Sequence, residues 1–166
     1  MDVNLQKKSK KLEAVLWSIA LPGFYQLLRK QFLKGFLLVL LEFLINVMGN
    51  FNRIIILSFN FRIEEAIQAT NYQWLLFYPC LYFFGIWDAY KDASGEEGKP
   101  FAYLPLVFSA YFVTVGVIFS TRITIFGHLI GPMWSGFLFL PIGLGIGATI
   151  RWILIKIYTK NRSLGS

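Results

Sequence analysis

Glu42 is the residue whose type and position in this sequence most strongly suggest chemistry. It lies in the apolar stretch LKGFLLVLLEFLINVMGN, eight residues beyond Lys34, which is about 12 Å along a helix. If this stretch crosses a bilayer, an ionisable group at that depth is costly and marks a functional site by default. Gly35, Glu42, Asn46 and Gly49 are separated by seven, four and three residues, so they share one helical face.

Arg151 is the candidate partner of Glu42. It ends a second stripe of small residues in GFLFLPIGLGIGATIRWILIK, in which Gly143 and Gly147 form a GxxxG pattern that permits close helix approach. If the two stripes face each other, Arg151 reaches toward the Glu42 carboxyl group. The candidate intramembrane polar site comprises Glu42, Asn46 and Arg151, and the candidate helix-packing residues are Gly136, Gly143 and Gly147.

Two interpretations of Glu42 stay open. A buried ion pair or hydrogen bond that holds the helices together is favoured. A proton or cation site is the alternative.

The sequence lacks the motifs of common catalytic and metal sites. It contains no G-x-S-x-G, P-loop or H-E-x-x-H pattern. The single cysteine, Cys80, stands in an apolar run where we expect a small buried residue, and the single histidine, His128, is expected in a solvated loop. We therefore expect no catalytic residue, no metal site, no cofactor and no enzymatic activity.

Acidic residues gather in DAYKDASGEEGKPF. Asp88, Asp92, Glu96 and Glu97 stand near Ser94 and several glycines, which is typical of a flexible exposed turn. The spacing matches no EF-hand. We interpret this segment as a solvated loop.

The composition indicates a membrane protein. Of the 166 residues, 56% are hydrophobic and 15% are charged, against roughly 25% charged in average soluble domains. The net charge of +7 does not point to nucleic acid, because the Lys and Arg residues cluster where apolar runs end. This distribution indicates membrane topology and contact with anionic lipid headgroups.

Five apolar segments follow a basic tail, residues 1–11. They span residues 12–33, 34–52, 72–90, 101–120 and 132–157, lengths that suit helices crossing about 30 Å of hydrocarbon. Between the second and third, an apolar stretch too short to cross lies between Arg53 and Arg62. We expect it to form an interfacial helix or an extension of the second segment.

The distribution of cations decides how many segments cross. If all five cross with the amino terminus inside, seven cations lie inside and nine outside, which contradicts the positive-inside rule. If residues 12–33 enter the membrane and return, three cations lie outside and thirteen inside. The three are Arg53, Arg62 and Arg122; the thirteen are Lys7, Lys8, Lys10, Lys11, Arg29, Lys30, Lys34, Lys91, Lys99, Arg151, Lys156, Lys160 and Arg162.

Pro22 and Gly23 explain why the first segment would turn back. Proline lacks a backbone N–H and disfavours helical geometry at the residue before it, while glycine permits a turn. Such a break at membrane depth requires that the freed backbone groups be buried in protein or face water. We expect the segment to pack against the other helices.

The stretch LPGFYQLLRKQFLKG carries a recognisable motif. Pro22, Gly23, Gln26, Lys34 and Gly35 match the PG-x-GQ-x-Y…KG pattern, so this region resembles small bacterial membrane proteins related to the TM2-domain group. The later YFFGIWDAYKDA is similar to the Trp-Asp helix end of multi-pass relatives of this kind. The resemblance implies a small integral inner-membrane protein, supplies no catalytic residues, and covers about 30 residues.

Together these features predict an all-α integral protein of the cytoplasmic membrane. We expect one membrane-embedded domain with four spanning helices, an N-terminal re-entrant or interfacial helix, and both termini cytoplasmic. The favoured function is an accessory or scaffold protein that contacts a membrane-protein partner or a second copy of itself. The alternative is a small ion or proton channel or transporter, in which Glu42, Asn46 and the broken first helix line a polar path.

Overall fold

Helices make up most of the chain. The computed structural model describes residues 3–95 and 99–164. In chain order the elements are α1 (Val3–Ala20), α2 (Phe24–Leu28), α3 (Phe32–Gly49), α4 (Phe51–Phe59), α5 (Ile63–Ala69), α6 (Tyr72–Leu75), α7 (Tyr78–Ser94), α8 (Leu104–Ile118), β1 (Thr124–Ile125), β2 (His128–Leu129) and α9 (Gly131–Leu164). The predicted all-α class is confirmed, with one addition: β1 and β2 form a small antiparallel hairpin.

Local sequence explains several of these boundaries. Prolines stand in the first turns of α7 and α8, where the missing N–H has no helical partner to lose. Asn50 adopts a left-handed conformation with φ 58° and ends α3, as asparagine tolerates. In the hairpin, Phe126 and Gly127 both have positive φ, the geometry of the tight turns that suit twisted strands.

Helix α3 runs antiparallel to α7. At one end of the pair, Lys34 Nζ lies 2.9 Å from Asp88 Oδ1. At the other end, the Tyr78 hydroxyl lies 3.4 Å from Glu42 Oε1. Because residue numbers rise on α3 as they fall on α7, the two helices point in opposite directions.

Helices α8 and α9 form a second antiparallel pair, and glycines bring them together. A Cβ atom on Gly147 would lie 2.6 Å from the Leu104 carbonyl oxygen, and one on Gly143 would lie 2.6 Å from Ser109 Cα. Gly136 meets Val113 at an ordinary distance of 3.6 Å. The candidate packing glycines therefore face α8 and not the Glu42 stripe on α3, because α8 is the helix adjacent to α9 in sequence and space.

Helix α1 packs along α7 and runs parallel to α3. The Lys11 ammonium lies 5.8 Å from the centre of the Tyr90 ring, and the Tyr82 hydroxyl donates to the Ile19 carbonyl at 2.9 Å. The chain then reverses, since Gln31 Nε2 lies 2.9 Å from Asp92 Oδ1. Residues 12–33 thus start and finish at the same end of α7.

The three short helices α4, α5 and α6 cover the opposite end of the bundle. Their apolar side chains form a buried cluster with α8, and Trp134 of α9 donates from Nε1 to the Ser58 carbonyl at 3.2 Å. The buried residues of this cluster are Ile54, Leu57, Ala66, Leu75 and Val117. This region is the largest buried apolar core in the described part of the chain.

Among the described residues, two helices are long and apolar enough to cross a membrane. They are α3, with a mean hydropathy of 1.9 over 18 residues, and residues Gly131–Lys160 of α9, also with a mean hydropathy of 1.9. Helix α8 is apolar but has only 15 residues. The structure supports membrane association on this evidence.

The helix boundaries differ from the predicted segments in three places. The segment 72–90 is divided between α6 and α7, because Pro79 starts a new helix after two turn residues. Helix α9 continues beyond residue 157. The predicted basic tail is helical from Val3, while residues 1 and 2 of that tail lie outside the described residues.

Candidate functional site

A cavity of about 300 Å³ opens beside Glu42, inside the bundle. Its walls come from α3, α7, α8 and α9, with α4 and α6 above and the end of α1 below. The lining is largely aliphatic and aromatic. It consists of Ile19, Ala20, Glu42, Phe51, Leu75, Tyr78, Pro79, Tyr82, Phe83, Val113, Val117, Pro132, Met133, Gly136, Phe137 and Leu140.

Glu42 provides the charged group of the cavity. The residue lies ten positions into α3, about 15 Å from the start of the helix, and it is half-buried. Tyr78 donates a long hydrogen bond of 3.4 Å to Oε1. The second carboxyl oxygen, Oε2, is buried without a hydrogen-bond partner, so one acceptor remains open.

Tyrosines of α7 line the wall next to Glu42. The rings of Tyr78 and Tyr82 stack with centroids 5.6 Å apart, and Phe51 approaches Tyr78 at 4.3 Å. Tyr82 uses its hydroxyl to hold the Ile19 carbonyl. Neither tyrosine was among the predicted site residues, although their spacing of four residues placed them on one face of a helix.

The end of α1 lies at this cavity because the chain breaks at Pro22 and Gly23. Pro22 is fully buried, and Gly23 has a φ of 97°, which an L side chain rarely adopts. Ile19 and Ala20 consequently become the last residues of α1 that line the cavity. The carboxyl end of a helix carries a partial negative charge, and it lies at the same cavity as the acidic side chain of Glu42.

The cavity wall therefore carries an acidic side chain without a basic side chain beside it. None of the described residues that line it is Lys, Arg or His. An apolar pocket with a few polar groups at one place is the usual form of a small-molecule site. Here the polar groups are an acidic side chain, two phenols and a helix end.

The three residues of the predicted intramembrane site do not meet. Glu42 contacts Tyr78, Asn46 donates to Asn52 Oδ1 at 3.2 Å, and Arg151 donates to the Pro100 carbonyl at 3.1 Å. Among the described residues, no ion pair joins Glu42 to Arg151. The expected pairing is wrong because α9 presents its small residues to α8, and Asn46 lies beyond the cavity.

The motif residues form a separate polar cluster with α7. Gln26 is 1% exposed, and its Nε2 donates to Asp88 Oδ2 at 3.0 Å and to the Gly85 carbonyl at 3.3 Å. Lys34 Nζ donates to the same carboxylate at 2.9 and 3.2 Å. Asp88 thus binds two residues of the motif, Gln26 and Lys34, at the same time.

Close backbone contacts make this arrangement depend on glycine. A Cβ atom on Gly35 would lie 2.7 Å from Leu27 Cδ2 and 2.9 Å from the Gly23 carbonyl oxygen. A Cβ atom on Gly23 would lie 2.6 Å from the Gly35 carbonyl oxygen. The turn and the start of α3 are therefore packed against each other at backbone distance.

A second carboxylate extends the cluster by one helical turn. Asp92 accepts from Arg29 Nε at 3.3 Å and from Gln31 Nε2 at 2.9 Å. The expectation that Asp88 and Asp92 belong to a solvated loop is wrong, because α7 continues through both residues. The sequence did contain a signal that the helix continues: Asp88 directly follows Trp87, and Asp92 comes four residues later, on the same helical face. Glu96 and Glu97 lie outside the described residues.

Cys80 and His128 contribute no site. Cys80 is exposed near the start of α7, contrary to the expected burial. His128 is exposed at the hairpin. Across residues 3–95 and 99–164, no group of three His, Cys, Asp or Glu side chains is arranged to hold a metal ion.

Comparison with known proteins adds no further assignment. No protein-family model, curated protein or solved structure matches this chain. The function therefore has to be inferred from the chemistry of two polar features. The first is the cluster in which Asp88 of α7 binds Gln26 and Lys34. The second is the cavity lined by Glu42.

Proposed function

We propose that the chain is an integral protein of the cytoplasmic membrane in which α3, α7, α8 and α9 cross the bilayer. The antiparallel pairs α3–α7 and α8–α9 support this arrangement. The parallel course of α1 and α3 supports a re-entrant first segment, because the chain returns to its starting end before α3 begins. Lys34, Lys91 and Lys99 then share the inner side with both termini, as the positive-inside rule favours.

We propose that this protein acts as a small channel or transporter for a proton or monovalent cation, and that Glu42 is the binding group. The observation that carries this proposal is the Glu42 side chain, which lines a cavity at the end of a broken helix and has one carboxyl oxygen without a hydrogen-bond partner. Transporters commonly place substrate sites at such helix breaks, where carbonyls at a helix carboxyl end bind cations. The cavity lacks a basic side chain to occupy the carboxylate.

Ion flux into proteoliposomes tests this function. Purified protein is reconstituted with a trapped pH-sensitive or sodium-sensitive dye, and a potassium gradient with valinomycin drives cation movement. We expect flux above that of empty liposomes, abolished by Glu42→Gln. Glu64→Gln is the matched control, because Glu64 is an exposed carboxylate on α5. Equal flux in both variants contradicts the proposal.

An accessory or scaffold role is the second candidate, and the length of α9 favours it. The helix has 34 residues, or about 51 Å, which exceeds the roughly 30 Å of hydrocarbon. Its last described turns expose Trp152, Ile153, Ile157 and Tyr158. The candidate helix-packing glycines of α9 contact α8, so this projecting end is the available contact surface.

Affinity purification from native membranes tests the accessory role. We expect a stoichiometric partner to copurify with the unchanged chain and to be lost when Trp152 and Tyr158 are replaced by alanine. Leu33→Ala serves as a control, because Leu33 is an 86% exposed apolar residue on a different helix, α3. Retention of the partner by the double variant contradicts this candidate.

A further inference from the structure

We infer that the Glu42 cavity binds a small lipophilic organic cation, meaning an ammonium group attached to an apolar body. This inference rests on the proposed function, since it assigns a substrate class to the same cavity. It follows from three observations: the charge of the wall, the aromatic side chains beside Glu42, and the scarcity of oxygen ligands.

Charge favours a cation over a neutral or anionic ligand. The Glu42 side chain lines the cavity, and Ile19 and Ala20 bring the carboxyl end of α1 to the same cavity. The described lining residues include no Lys, Arg or His. A positive ligand would supply the missing counter-charge, whereas an anion would face a wall of the same sign.

Aromatic rings next to Glu42 favour an organic ammonium group. Tyr78 and Tyr82 are stacked, with their ring planes inclined by 21°, and Phe51 packs against Tyr78. Ring faces attract cations, and quaternary ammonium groups are commonly recognised in this way. A cation beside Glu42 would therefore meet both a carboxylate and π surfaces.

The oxygen supply disfavours a divalent metal ion. Beyond Glu42, the side-chain oxygens in the lining are the phenols of Tyr78 and Tyr82, and the Tyr82 hydroxyl already donates to Ile19. Hard cations such as Ca²⁺ require six to eight oxygen ligands. Leu75, Phe83 and Leu140 line the remaining wall, which suits the apolar body of an organic ligand.

Size sets a further limit. The volume of about 300 Å³ lies at the lower end of the roughly 300–1,000 Å³ found for small-molecule sites. A single aromatic ring with a substituted ammonium group is of this class. Benzyltrimethylammonium is a suitable probe, and neopentylbenzene is its neutral isostere, with carbon in place of nitrogen.

Equilibrium dialysis of the full chain in nanodiscs tests the inference, with empty nanodiscs as background. We expect saturable binding of one benzyltrimethylammonium per chain. Glu42→Gln should weaken it about 10- to 100-fold, the loss that corresponds to one interaction with a charged group. Glu64→Gln should leave it unchanged, and neopentylbenzene should bind equally to all three proteins.

Several results would overturn the inference. They are an absence of saturable binding, equal affinity in Glu42→Gln and the unchanged chain, or displacement of the probe by an equal concentration of Na⁺. If Glu42→Gln fails to fold, Glu42→Asp provides the second variant, and it should retain binding because the charge remains. Binding without ion flux would reject the proposed transport but leave this site intact; flux without binding would reject the ligand class alone.

Discussion

At the residue scale, Asp88 of α7 accepts hydrogen bonds from Gln26 and Lys34, which lie on either side of the turn between α2 and α3. Its side chain is 16% exposed, against 26% for Asp92, and its partner Gln26 is buried. We expect Asp88→Asn to lower the free energy of unfolding by about 1–2 kcal/mol, because a hydrogen-bonded charge is lost beside a buried amide. Asp92→Asn should cost less, because Arg29 is 60% exposed and exposed pairs contribute little.

Thermal unfolding in detergent micelles compares the two variants. Asp92→Asn is the matched control, since it makes the same chemical change one helical turn away. Equal losses, or a larger loss for Asp92→Asn, would show that the buried Gln26 contact is not what gives Asp88 its importance.

Glu65 provides a pH-dependent contact outside the spanning helices. Its hydrogen bond from Arg62 lowers the pKa of the carboxyl group below its usual 4.5. A lowered pKa means that the contact stabilises the fold above pH 4.5 and that this contribution disappears as the pH falls through the lowered value. We expect stability to decline below pH 4.5 less steeply in Glu65→Gln than in the unchanged chain. Side-chain carboxyl NMR shifts measure the pKa directly, and a midpoint at or above 4.5 would contradict the contact.

The residue scale also shows what helical spacing could not predict. Spacing placed Glu42, Asn46 and the Arg151 stripe on defined helical faces, because side-chain direction repeats with the helix. It could not identify the neighbour that each face meets, since that depends on which helices are adjacent. Glu42 meets Tyr78, whereas Arg151 meets the backbone at Pro100.

At the element scale, the α8–α9 pair depends on glycines that permit backbone contact. A Cβ atom on Gly143 would lie 2.6 Å from Ser109 Cα and 2.7 Å from the Phe108 carbonyl oxygen, and neither backbone atom can yield cheaply. We expect Gly143→Ala to lower the free energy of unfolding by about 1–3 kcal/mol, the usual range for overpacking. Denaturation of the detergent-solubilised protein measures this loss.

Gly145 is a matched control on the same helix. Apart from the adjacent backbone of its own helix, no heavy atom of the described residues lies within 4 Å of the Cβ position that Gly145→Ala would fill, so this change should be neutral or should stabilise by up to about 1 kcal/mol through helix propensity. A loss at Gly145 equal to that at Gly143 would mean that glycine matters here for reasons other than close packing.

Elements were predictable where the signal is local. The break after α1 followed from Pro22 and Gly23, and the apolar runs located the long helices to within several residues. The end of α7 was misjudged, because Asp92 and Lys91 resemble a solvated turn until Arg29 and Gln31 are brought beside Asp92 by the fold. Arg29 and Gln31 lie 63 and 61 residues from Asp92 in the sequence, so the residues around Asp92 give no indication of these contacts.

At the scale of the whole molecule, the course of the chain agrees with the division of charge made from the sequence. Lys11 lies beside Tyr90, and Lys34 beside Asp88, so the first segment and α3 begin at the same end of α7. Arg62 lies at the covered, opposite end. Counting cations requires only chain order and segment lengths, so it could predict that residues 12–33 return to the end where they start. It could not predict the cavity at the end of α1, because the cavity depends on which helices are adjacent.

The proposed re-entrant course makes a specific prediction about sidedness. In a Cys80→Ser background, single cysteines are placed at Ser9, Lys30, Asn60 and Phe126, all of which are exposed. We expect a membrane-impermeant maleimide to label Asn60→Cys and Phe126→Cys in intact cells, and Ser9→Cys and Lys30→Cys only after the membrane is opened. Ser9 and Lys30 are the decisive pair, because a first segment that crosses the bilayer would place them on opposite sides, whereas one that turns at Gly23 keeps them together. Labelling of Lys30→Cys but not Ser9→Cys in intact cells would therefore reject the re-entrant segment, and with it the placement of the end of α1 at membrane depth beside Glu42.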